Sequence, residues 1–212
     1  MYDYVLFDLD GTISDSSEGI TKGIQIALKH MGIEEERENL SKFIGPPLKY
    51  SFTTFYDFNE EQCDIAVKKY REYYGKIGLF ENRAYDGIGD LLKKIKERGK
   101  KIAVATSKPE KFSVQILEKF GLLEYFDIIS GASMDGVRAD KYEVIIEALN
   151  RFGDPDRSRV VLVGDTRFDV EGASKAGIDC IGVLYGFGTR ESLEKAGVKY
   201  IAESMEDILN YL

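Results

Sequence analysis

Apolar and polar positions alternate in short, readable blocks along this chain. Tyr4-Val5-Leu6-Phe7 is a brief apolar run with β-branched and aromatic character, closed by the polar cluster Asp8-Leu9-Asp10-Gly11-Thr12. That pattern predicts a buried strand ending abruptly in a turn. The period then changes. Ile20, Ile24, Ala27, Leu28 and Met31 recur at helical spacing between Ser14–Ser17 and Gly32. Glu34 to Glu38 reads as solvated. Gly45-Pro46-Pro47 breaks the chain and opens a helix through Leu48, Phe52 and Phe55. Cys63, Val67, Tyr70 and Tyr74 stripe a further helix. Residues 15–83 therefore read as helical, without a convincing strand.

From Asp86 the rhythm becomes helix, strand, helix, strand. Ile88, Leu91, Leu92 and Ile95 mark a helix; Lys101–Ala105 a strand closed by Thr106-Ser107-Lys108-Pro109; Phe112 to Phe120 a helix; Phe126–Ile129 a short strand. Tyr142–Phe152 is helical. Arg159–Val163 is the strongest strand pattern in the chain and ends at Gly164-Asp165. A helix over Asp169–Gly177, a strand at Cys180–Leu184, a short helix near Glu191–Ala196, a weak strand at Tyr200-Ile201 and a helix from Met205 complete the series. Such alternation predicts an α/β fold, a doubly wound parallel sheet with helices on both faces, and a small all-α domain inserted after the first strand. The expected boundaries are 1–14 plus 85–212 for the α/β core and 15–84 for the insertion. Ligands of such sheets bind beyond the carboxyl ends of the strands, near a switch point. Asp8, Thr106 and Asp165 all stand at strand ends.

Composition narrows the classes. Hydrophobic residues make up 43% of the 212 positions, enough for a core, and the formal charge is −8. An acidic chain lacks the basic footprint of a nucleic-acid binder. No apolar run approaches the ~20 residues of a membrane helix. Cys63 and Cys180 form no metal or redox spacing and are expected in the core; with no leader pattern visible, a reducing cytoplasm is the expected setting. His30, the single histidine, reads as a surface helix residue. Asp8 and Asp10 are open to two readings. They are turn and cap residues, or paired carboxylates whose repulsion calls for a cation or a retained proton.

Taken together, these segments resemble the haloacid dehalogenase superfamily, in particular its phosphoglycolate-phosphatase-like branch. Asp8-Leu9-Asp10-Gly11-Thr12 is similar to its first motif, Thr106-Ser107 to the second, Lys141 to the third, and Gly164-Asp165-Thr166-Arg167-Phe168-Asp169 to the fourth. Many relatives carry Lys-Pro in the third motif, where this chain has Lys141-Tyr142; Lys108, followed by Pro109, is the rival lysine. The resemblance implies a Mg²⁺-dependent phosphatase of small phosphomonoesters such as phosphoglycolate, nucleoside 5′-monophosphates or sugar phosphates. It implies Asp8 as nucleophile and metal ligand, Asp10 as general acid/base with its carbonyl on the metal, and Asp165 as a further ligand. Thr106, Ser107 and Lys141 would bind phosphate, and Asp169 would support them. The helical insertion would be a cap choosing the substrate, with Gly45, Pro46, Lys49 and Arg83 as candidates for its lining. A phosphomutase of the same superfamily, or a non-catalytic binding module keeping the fold, are the alternatives.

Overall fold

A computed structural model describes residues 1–135 and 137–212. In chain order, β1 (Tyr4–Phe7), β2 (Ser14–Asp15), α1 (Ser17–His30), α2 (Leu48–Tyr56), α3 (Glu60–Tyr74), β3 (Arg83–Ala84), α4 (Ile88–Glu97), β4 (Lys101–Pro109) and α5 (Glu110–Lys119) are followed by β5 (Ile128–Ala132), α6 (Lys141–Arg151), β6 (Val160–Gly164), α7 (Arg167–Ala176), β7 (Asp179–Val183), α8 (Arg190–Lys195), β8 (Tyr200–Ala202) and α9 (Met205–Tyr211). The chain divides into two compact units, Met1–Ser14 with Ala84–Leu212, and Asp15–Arg83.

The larger unit is a six-stranded sheet in the order β5-β4-β1-β6-β7-β8, and every described pairing in it is parallel. Central β1 lies between β4 and β6, so the sheet winds outward in both directions from it. Strand alternation sends Leu6, Ala103, Ala105 and Leu162 to the face where Val144, Ile145, Ala148 and Leu149 of α6 and Val170 and Ala173 of α7 pack. The register places Phe7 opposite both Val104 and Val163. The three strands are thus in level register at Phe7, Val104 and Val163, and the residues that follow are delivered to one rim.

The smaller unit is built on α1, α2 and α3. Its core is aromatic: Phe43 packs edge-on against Phe52 with ring centroids 5.1 Å apart and against Phe55 at 5.5 Å. Two details differ from the sequence expectation. The stretch leading to the Gly45 break, for which no element was expected, is a 3-10 helix over Arg37–Phe43 with Leu40 and Phe43 buried. Short strands β2 and β3 also stand at the two chain crossings and pair with each other, where only helices were expected. Two-residue strands carry no readable period. Cys63 and Cys180 are both buried free thiols, and His30 is exposed. Among the described residues no helix is long and apolar enough to cross a membrane.

Candidate active site

The rim formed by β1, β4 and β6 gathers four buried carboxylates and two buried ammonium groups. Asp8 follows β1 directly, and its backbone N–H continues the ladder to Val163 O at 2.9 Å. The chain then turns at Gly11, which has φ +85°. A side chain there would meet the Asp165 carboxylate, 2.1 Å from a Cβ. Only glycine satisfies both the left-handed backbone and that close approach. Thr12 donates its hydroxyl to Asp165 Oδ1 at 3.2 Å.

Lys141 is the first residue of α6, where the helix dipole disfavours a cation. Its side chain answers with anionic partners: Nζ lies 2.7 Å from Asp8 Oδ1 and 2.9 Å from Asp169 Oδ1, and donates to Ala105 O at 3.0 Å. The stem reaches the rim by lying across α7 at Gly172, where a Cβ would stand 2.5 Å from Lys141 Cγ. Asp169 has a second duty. Its Oδ2 accepts from the Thr166 backbone N–H at 2.9 Å and from the Thr166 hydroxyl at 2.8 Å, closing the first turn of α7. Asp169 thus both completes the capping of α7 and bears charge toward Lys141.

Lys108, the rival lysine, has a different partner. Its Nζ sits 2.9 Å from Asp10 Oδ2, with both side chains buried. The two carboxylates that read as competing for one cation therefore each have an ammonium of their own. Asp165 Oδ2 accepts from Phe187 N–H at 2.7 Å, and Tyr185 OH donates to Thr12 O at 3.1 Å. The loop 184–188 after β7 was missed by sequence reasoning, as were Thr12 and the Lys108–Asp10 pair. The closely spaced Gly186 and Gly188 were the available signal of a close backbone approach. Thr106 is buried, with its hydroxyl accepting from Lys108 N–H at 3.3 Å; Ser107 beside it is half-buried. Gly45, Pro46, Lys49 and Arg83 belong to the other unit. There Lys49 pairs with Asp64 at 2.6 Å and Arg83 with Asp15 at 3.3 Å.

The electrostatics leave a deficit. Asp8, Asp10, Asp165 and Asp169 carry four formal negative charges, and Lys108 and Lys141 two positive ones, a net of −2. Burial pushes Asp8 up to about 6; Lys141 pulls it back, while Asp169 and Asp10 add to the rise. Burial, then Asp169 and Asp8, raise Asp165 well above the usual carboxylate range. Lys141 stays charged because Asp169 and Asp8 outweigh its own burial. Asp8, Asp165 and Asp169 each offer an oxygen, all within 4.8 Å of one another. Asp10 Oδ1 is buried without a hydrogen-bond partner. A hard-oxygen donor set with a residual charge of −2 fits a divalent cation of the Mg²⁺ type.

Known proteins agree with this architecture. The chain is 43% identical to a 5′-nucleotidase of Pseudomonas aeruginosa over 91% of its own length and 87% of that protein. It is 37% identical to the tyrosine-protein kinase PtkA of Mycobacterium tuberculosis over 94% of its own length and 68% of that protein. A crystal structure of a predicted phosphatase from Clostridium acetobutylicum superposes with a TM-score of 0.97 at 46% identity, covering 100% of this chain and 98% of the other. Residues 5–183 match the family model for haloacid dehalogenase-like hydrolases, and the chain belongs to that family.

Proposed function

We propose that the protein is a Mg²⁺-dependent phosphatase that hydrolyses small phosphomonoesters through an aspartyl-phosphate on Asp8, with nucleoside 5′-monophosphates as the leading substrate class. The observation that carries this is Asp8 itself: a buried carboxylate at a strand end, 2.7 Å from an ammonium and sharing a cluster with Asp165 and Asp169. The likeness to a 5′-nucleotidase supports the substrate class. Asp8 and Asp165 would hold the ion, with Asp169 beside them and the Asp10 carbonyl contributing. When bound, Mg²⁺ supplies charge neutralisation between an anionic nucleophile and an anionic ester.

The residues divide the rest. An Asp8 oxygen forms a bond to phosphorus as the bond to the leaving oxygen breaks, and Asp10 donates its proton to that oxygen. The Asp10 carboxylate then takes a proton from water as the water oxygen attacks phosphorus, freeing Asp8 and inorganic phosphate. Lys141 holds Asp8 in place and offsets charge on the phosphoryl oxygens, and Thr106 and Ser107 offer hydroxyls to them. The helical unit, Asp15–Arg83, would act as the cap that selects the ester. Phosphate release is the test: a panel of nucleoside 5′-monophosphates, phosphoglycolate and sugar phosphates, with Mg²⁺ or with EDTA. Release from the nucleotides, abolished by EDTA and by Asp8→Asn, is expected; full activity in Asp8→Asn removes the aspartyl-phosphate. The likeness to PtkA favours one competing reading, phosphoryl transfer to protein tyrosine. Label moving from ATP to a tyrosine substrate, with no phosphate released from esters, would establish it instead.

A further inference from the structure

Lys108 is a buried cation that the mechanism above leaves without a task. Its side chain is 4% exposed and that of Asp10 11%, and the pair is 2.9 Å apart. It reaches Asp10 through an irregularity of β4. The register with β5 shifts between Thr106 and Pro109, and Lys108 N–H folds back onto the Thr106 hydroxyl at 3.3 Å. The pairing is one-sided: the ammonium takes Asp10 Oδ2, while Oδ1 is buried and accepts no hydrogen bond. Charge compensation alone would be served by any geometry. Anchoring one oxygen instead fixes the carboxyl plane and presents the other.

We propose that Lys108 is a positioning residue for Asp10, holding Oδ2 so that Oδ1 is the oxygen that passes a proton to the leaving group and later takes one from water. The inference rests on the phosphatase reading. Proton transfer requires heavy atoms roughly 2.6–3.2 Å apart, and a misplacement near 1 Å costs on the order of 10²-fold. Loss of Lys108 therefore acts where the proton is needed. An alkyl ester needs it when its P–O bond breaks, because an alkoxide leaves poorly. A p-nitrophenyl ester does not, because p-nitrophenolate leaves unprotonated. Both need Asp10 in the second step, to deprotonate water.

The test compares wild type, Lys108→Met and Lys108→Arg on a nucleoside 5′-monophosphate and on p-nitrophenyl phosphate, with Mg²⁺. In Lys108→Met the ratio of kcat/KM for the aryl ester to that for the alkyl ester should rise about 10²-fold. An initial burst of p-nitrophenolate matching the enzyme concentration should appear, as aspartyl-phosphate forms faster than it hydrolyses. Lys108→Arg should restore the alkyl ester and remove the burst. An equal fall of kcat/KM on both esters, without a burst, overturns the proposal and makes Lys108 a phosphate-binding or merely structural cation. Should Lys108→Met not fold, Lys108→Gln carries the same comparison, with a smaller change in ratio expected and an unchanged ratio overturning it. If wild type hydrolyses neither ester, the phosphatase reading falls; if it hydrolyses both and the variants show no selectivity, only the role of Lys108 falls.

Discussion

Replacing Lys141 by methionine isolates the electrostatic debt of the site. The substitution keeps most of the stem against Gly172 and removes the ammonium shared by Asp8 and Asp169. Those carboxylates and Asp165 then face one another within 4.8 Å. At an effective dielectric constant of about 20, each such pair repels by about 3.5 kcal/mol or more. Protonation limits the damage. With Asp8 at about 6, placing a proton on it at pH 7.5 costs about 2 kcal/mol. Losing the contacts to Asp169 and Ala105 adds to this, so a total of roughly 3–5 kcal/mol is expected, the range for breaking a buried pair. The pH dependence carries the sign. The variant keeps its extra proton in the folded state while wild type releases one near pH 6, so the gap should shrink by about 2 kcal/mol between pH 7.5 and pH 5.5. The chain has no tryptophan, so urea unfolding in EDTA is best followed by far-ultraviolet circular dichroism. A gap below about 1 kcal/mol at pH 7.5, or one equal at the two pH values, refutes the claim that Lys141 holds the carboxylates.

Other consequences can be checked more briefly. Wild type without divalent ions should lose stability as pH rises through the interval from the ordinary aspartate value to about 6. Asp8 has its folded-state pKa raised to about 6, so folding favours its protonated form and that benefit is lost across this interval; Asp165, raised well above the usual carboxylate range, acts in the same direction. Added Mg²⁺ should raise the melting temperature more at pH 8 than at pH 5, and a constant increment would count against a carboxylate site. Gly11→Ala should cost ~1–2 kcal/mol from the left-handed backbone and displace Asp165, so Mg²⁺-dependent activity should fall further than thermal stability; intact activity would mean the turn tolerates a Cβ. Lys49→Ala and Arg83→Ala should raise KM for the preferred nucleotide more than for p-nitrophenyl phosphate, whereas equal changes exclude both from substrate selection.

The parallel sheet was legible because its strands are uniform apolar runs ending in polar turns: Tyr4–Phe7 before Asp8, and Val160–Val163 before Gly164-Asp165. Lys141 was placed by its resemblance to the third family motif, ahead of a helix and of the strand Val160–Val163. The destination of Lys108 was not legible. The apolar run of β4 stops at Ala105, while the strand continues irregularly to Pro109, and a one-residue change of register sends a side chain to the opposite face. The 184–188 loop escaped for another reason. Its contact with Asp165 is made by a backbone N–H, marked in the sequence just by the glycines Gly186 and Gly188 that allow the close approach. In the helical unit, Phe43 was hidden by the charged residues around it, since a 3-10 turn has too few positions for a period to emerge.

Gly172 sits inside α7, where glycine weakens a helix by about 1 kcal/mol relative to alanine. The notch it leaves is occupied by the stem of Lys141. A single methyl group would firm the helix locally, but it would close the corridor through which the ammonium arrives. Alanine here would gain that ~1 kcal/mol and put at risk the roughly 3–5 kcal/mol that the Lys141 ammonium contributes among its carboxylates. Heat tolerance and chemistry therefore call for the same missing side chain, at a residue that itself bears no reactive group.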